Sequence, residues 1–114
     1  MSRRIEQVNE LIKEEVSKIL SQKIDFDDDI VTITQVDTSP DSKQAKVKIT
    51  VLNQDNHQLV LQKIKKKIYN IQQDLNKKLN MRPVPKLSFF IDQSESKAQR
   101  VEELLQQIKK DKNT

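Results

Sequence analysis

The chain contains no glycine. An average protein carries about 7%, because glycine alone takes left-handed backbone conformations without steric cost. Its absence removes several kinds of site at once. A Walker-type phosphate loop, a dinucleotide fingerprint and a Gly-x-x-Gly RNA clamp all need glycine where backbone must approach phosphate closely. Any turn that requires positive φ is expected to use Asn or Asp, which tolerate it better than other residues. The remaining punctuation falls to three prolines and to clusters of Asp, Asn and Ser.

Between those marks the apolar residues keep clear periods. Ile5, Val8, Ile12, Val16 and Ile19 recur at spacings of three and four, so residues 3–22 read as an amphipathic helix. The acidic run "DFDDD" (Asp25–Asp29) ends it as a loop. "IVTITQV" (Ile30–Val36) is β-branched and alternating, which predicts a strand. "TSPDSKQ" (Thr38–Gln44) is a turn built on Pro40 and Asp41. "AKVKITV" (Ala45–Val51) alternates cleanly, with Ala45, Val47, Ile49 and Val51 dry and Lys46, Lys48 and Thr50 wet. The short link makes these two strands antiparallel neighbours.

Asp55 or Asn56 then caps a helix from His57 to about Asn80, uninterrupted by Pro. Val60, Leu61, Ile64, Ile68, Ile71, Leu75 and Leu79 form its core stripe; Lys63, Lys66, Asn70, Gln73 and Lys77 lie opposite. Pro83 and Pro85 stop the helix and stiffen the chain into a third strand, "LSFFID" (Leu87–Asp92). Phe89 and Phe90 point to opposite sides of it, and both are expected in the core. Asp92 with Glu95, or Ser96 with Gln99, can form a capping box for a last helix carrying Ala98, Val101, Leu104, Leu105 and Ile108. A helical crossover between strands two and three makes them parallel. The expected fold is therefore α+β, in the order α-β-β-α-β-α, with a small three-stranded mixed sheet and helices packed on one face. Residues 1–108 read as one domain and 109–114 as a short basic tail.

Composition permits this core. Leu, Ile, Val and Phe supply about 30% of the 114 residues, above the roughly 20% below which a charged chain stays disordered. The N-terminal stretch has no apolar run and is not expected to act as a signal peptide. No run approaches the roughly 18 apolar residues of a membrane span. Cysteine is absent, which removes disulfides, thiol nucleophiles and thiolate metal sites and suits a reducing, cytoplasmic setting.

No constellation for catalysis is present. His57 is the single histidine, has no matched ligand spacing, and is expected at the surface. "DFDDD" lacks the alternating spacing and glycine of a calcium loop. The serines have no neighbouring base. Neither a metal nor a cofactor is expected. What remains is charge: net +4, with 17 of 21 basic residues being lysine. Such a balance permits a nucleic-acid partner. The lysines of the long helix can track phosphates, or can simply solvate the face opposite its core stripe. Tyr69, the single aromatic near them, is too little for a stacking platform.

Two segments carry a resemblance. Ser39, Asp41, Ala45, Lys46 and Val47 close one strand and open the next; Arg82, Val84, Pro85, Leu87, Phe89 and Asp92 lead through the third. In both, residue types and spacing resemble the ribosome-binding factor A family of bacterial small-subunit assembly factors, over about Ile5 to Ile108. The resemblance implies a type II KH-like domain, expected as a monomer. It implies a non-enzymatic factor that binds immature small ribosomal subunits and their rRNA near its 5′ end. It also implies a role in late maturation and in growth at low temperature. The expected RNA contacts are Arg3, Arg4, Lys63, Lys65, Lys66, Lys67, Lys77, Lys78, Arg82 and Lys86, with Arg82 best suited to grip phosphate bidentately. Ribosomal proteins are further candidate partners, and a protein-docking module with incidental RNA contact is the alternative. Three positions depart from the family. Its Ala-x-Gly helix kink is here Lys67, Ile68 and Tyr69, which predicts a shallower kink. Its frequent following Arg is Gln72. Its Asp-Pro-Arg before the first strand is Asp25, Phe26 and Asp27. Lys65, Lys66 and Lys67 are expected to restore the lost charge.

Overall fold

The computed structural model describes residues 3–92. Helix α1 spans Arg3–Lys23, strand β1 Val31–Thr38 and strand β2 Gln44–Val51. A 3-10 turn, Gln54–Asn56, leads into α2 (His57–Lys66), followed by α3 (Ile68–Lys78) and β3 (Lys86–Ile91). The expected last helix and its capping boxes lie outside the described residues. The sheet order is β1-β2-β3, with β1 antiparallel to β2 and β2 parallel to β3. This is the α+β, type II KH-like arrangement that the periodicities and the resemblance imply.

Strands β2 and β3 present their dry faces to the helices. Ala45, Val47, Ile49, Leu87 and Phe89 are buried against Ile12 and Val16 of α1, Val60 and Ile64 of α2, and Ile71 and Leu75 of α3. Full burial of each large aliphatic or aromatic side chain contributes about 1.5–3 kcal/mol. Strict alternation would send Ile33 and Val36 to opposite faces, yet both are buried. A register shift between Ile33 and Gln35 reconciles them: Thr34 is the extra residue of a bulge. Its hydroxyl lies 2.6 Å from Asp92 Oδ2 and 3.3 Å from the Lys48 carbonyl.

The β1–β2 turn explains the Ser-x-Asp motif. Ser39 Oγ donates to Asp41 Oδ1 at 2.6 Å and accepts from Gln44 N at 3.1 Å. Asp41 Oδ1 also accepts from Lys43 N at 3.1 Å. The Ser39 hydrogen bond is the main reason that the Asp41 carboxyl sits below its ordinary value. These residues are scaffold.

Four expectations are corrected. The helix after His57 is not continuous: Lys67, at φ −104° and ψ 8°, separates α2 from α3. Lys67 N bonds Ile64 O at 3.0 Å, a tightened turn, before Ile71 N resumes on Lys67 O at 2.9 Å. The break falls where the resemblance implies a kink, at Lys67; the apolar spacing alone conceals it, since Ile64, Ile71 and Leu75 are all fully buried. Positive φ occurs at Asp27 (58°), as expected, and also at Ser42 (59°), which is neither Asn nor Asp. Asn56 precedes α2 without capping it; its side-chain amide instead donates to Asp29 Oδ1 at 2.9 Å. Phe89 is 3% exposed but Phe90 is 45% exposed, because the described helices cover only one face of the sheet.

Candidate nucleic-acid interface

Apart from Lys63, most of the expected RNA contacts lie at one end or the other of α3. That helix has 11 residues, so its ends lie roughly 16 Å apart at 1.5 Å per residue. At its start, Lys65, Lys66 and Lys67 end α2 and form the break; all three are exposed. No described carboxylate lies within ion-pair distance of them. Part of their charge serves the fold, since cations at a helix C-terminus offset the exposed carbonyl dipoles by about 0.3–1 kcal/mol each. The rest faces solvent. The break needs no glycine because Lys67 keeps a negative φ.

At the far end, Lys77 and Lys78 occupy the last turn of α3, and Arg82 and Lys86 flank the proline segment. All four are exposed. Arg82 Nη1 donates to the Met81 carbonyl at 2.8 Å, and the Arg82–Pro83 peptide is cis. The fold brings the N-terminus to this end. Arg4, Gln7, Val8 and Leu11 of α1 line a shallow groove of about 260 Å³ together with Asn80 and Met81. Arg4 thus shares a groove with Asn80 and Met81, which lie between Lys78 and Arg82 in the chain. A Lys23–Asp74 ion pair of 3.2 Å also ties α1 to α3.

Lys63 stands apart from both groups. Its ammonium lies 3.0 Å from Asp27 Oδ2 and 3.3 Å from the Asp25 carbonyl. It clamps the acidic loop instead of extending a lysine stripe. Asp29 is held by Asn56, and Asp25 Oδ1 accepts from Asp27 N at 2.8 Å. The carboxylates of Asp25, Asp27 and Asp29 therefore hold the loop in place. His57 is half-buried rather than exposed, with Nε2 3.4 Å from the Val51 carbonyl.

Gln72 does structural work. It bonds the backbone of the proline segment at both Pro85 O (3.0 Å) and Leu87 N (2.8 Å). The sequence carried no signal for this role, which depends on a contact across 15 residues. Sequence reasoning also left unassigned Lys46 and Lys48, which share the open sheet face with Phe90.

A sequence model of the ribosome-binding factor A family matches residues 4–105. A ribosome-binding factor A of Thermodesulfovibrio yellowstonii is 34% identical over 109 residues, covering 95% of this chain and 92% of that one. The crystal structure of ribosome-binding factor A from Thermus thermophilus superposes with a TM-score of 0.68 at 17% identity, covering 76% of this chain and 93% of that chain. A Thermus thermophilus homology model fitted into the cryo-EM map of a 30S–RbfA complex gives a TM-score of 0.60 at 17% identity, over 75% of this chain and 91% of that chain.

Proposed function

Because the chain belongs to the ribosome-binding factor A family, we propose that it is a cytoplasmic ribosome assembly factor. It binds the immature small ribosomal subunit and its rRNA and assists late maturation, including processing of the rRNA 5′ end. The family match across residues 4–105 carries this reading. The geometry supports a binding role: exposed lysines and arginines lie in two clusters at the ends of α3. Two clusters at opposite ends of α3 fit a partner with phosphates in several places, such as a folded rRNA surface. Each phosphate neutralised releases counterions, so affinity falls with salt. Arg82 and Lys86 flank a segment fixed by Gln72, so their backbone positions are set before binding.

Cosedimentation of the purified chain with free small subunits, mature ribosomes and naked rRNA tests the reading. Selective sedimentation with free small subunits, weakened by salt, is the expected outcome. Binding that requires one ribosomal protein and is indifferent to salt would instead support a protein-docking module.

A further inference from the structure

The sheet has one face that no described helix covers. Its register aligns Lys48 with Phe90, Lys46 with Ser88 and Gln44 with Lys86. These side chains all point away from the buried Ala45, Val47, Leu87 and Phe89. Phe90 is 45% exposed and stands on β3, an edge strand among the described residues, so one side of its ring is open. Two carboxylates share this face. Asp37 accepts from Gln35 Nε2 at 2.9 and 3.0 Å, and Asp92 is 8% exposed with the Thr34 hydroxyl against it. No described carboxylate is within ion-pair distance of Lys46, Lys48 or Lys86.

We propose that this open sheet face is a second RNA-binding surface, separate from the clusters along α3, on which one unpaired base stacks against Phe90 while Lys46 and Lys48 hold the adjoining phosphates. The occupant is single-stranded RNA, by charge complementarity and by ring chemistry. A core residue has no use for this position, since its partner strand offers Lys48 in place of an apolar side chain. An apolar protein pocket would be flanked by other apolar residues; Phe90 is flanked by Lys48 across the strands and by Ser88 and Asp92 along its own. Lys46 and Lys48 are two residues apart on one strand, which places their stems roughly 7 Å apart on the same face. A flat sheet bearing an exposed ring beside lysines can stack any base, because every base has a π-face. The proposal rests on the assembly-factor reading and adds a site to it.

The test uses the full chain and free small subunits. Wild type, Phe90→Ala, Phe90→Leu, Phe90→Trp and Lys46→Gln/Lys48→Gln are compared by sedimentation binding. Ultraviolet crosslinking then asks whether the Leu87–Lys97 tryptic peptide carries nucleotide. Base stacking predicts that Phe90→Ala weakens binding about 5- to 100-fold. Phe90→Leu should be nearly as weak, Phe90→Trp should bind at least as well as wild type, and the peptide should carry RNA. The lysine pair variant should also weaken binding and flatten its salt dependence. Phe90 lies outside the core, so its replacement should leave the fold intact, and unchanged melting temperatures check this. Wild-type affinity in Phe90→Ala overturns the proposal while leaving the assembly-factor reading intact. Full rescue by Phe90→Leu with no RNA crosslink overturns it in favour of an apolar protein pocket. Failure of wild type to bind small subunits overturns both.

Discussion

Gln72 in α3 reaches the backbone of Leu87 at the start of β3: its Oε1 accepts from Leu87 N at 2.8 Å. The same amide donates from Nε2 to Pro85 O at 3.0 Å and to Asn76 Oδ1 at 3.1 Å. One side chain thus replaces the hydrogen bonds that the proline segment cannot make for itself. It fixes where Arg82 and Lys86 stand relative to α3.

Replacing Gln72 with Ala should therefore destabilise the fold by about 1–3 kcal/mol, because a partly buried N–H and C=O lose their partners. Gln72→Glu, which keeps the acceptor and loses the donor, should fall between the two. Urea unfolding measures this. A loss under about 0.5 kcal/mol, within the range of ordinary surface substitutions, would show that water replaces the amide freely.

Ser42 holds φ at 59°, a left-handed conformation that costs a residue with a Cβ. Ser42→Gly should stabilise the chain by about 0.5–1 kcal/mol, since relief of that conformation outweighs the added freedom of the unfolded state. Thermal unfolding of the two proteins decides it; a lower melting temperature would refute the argument. A protein without glycine is thus expected to improve by gaining one.

The Ser39 hydroxyl, ahead of the backbone bond from Lys43, holds the Asp41 carboxyl below its ordinary value. A depressed carboxylate pKa contributes stability above the ordinary carboxylate range, and that contribution is lost as pH falls through the lowered value. Carbon-detected NMR titration of Asp41 should give a midpoint below that of an ordinary aspartate in wild type. Ser39→Ala should raise it. A midpoint that Ser39→Ala leaves unmoved would assign the shift to the backbone bond from Lys43.

Lys63 and the lysines that follow it should differ in their effect on small-subunit binding. Replacing Lys65, Lys66 and Lys67 together with Gln should reduce the salt slope by about 0.7–0.9 for each phosphate that is no longer neutralised. Lys63→Gln should change it little, because that ammonium is already paired with Asp27 at 3.0 Å. The double-mutant coupling between Lys63 and Asp27 should stay below about 1 kcal/mol, as Asp27 is largely exposed. Equal slope changes for Lys63 and for its neighbours would remove the distinction.

The sequence by itself determined the element order, the antiparallel and parallel pairings, and which faces are dry. Those features follow from local periods: two in β2 and β3 and on either side of the bulge in β1, three and four in the helices, with Pro and Asp clusters between them. Tertiary structure decided the rest. The break at Lys67 is invisible to periodicity because the core positions Ile64, Ile71 and Leu75 continue across it. The bulge at Thr34 places both Ile33 and Val36 inside, a choice made by the register with β2. Lys63 turns from helix surface to clamp because a loop 36 residues away supplies Asp27. Phe90 shows the same limit. Alternation sets it opposite Phe89, but only the placement of every described helix on one face of the sheet leaves its ring exposed.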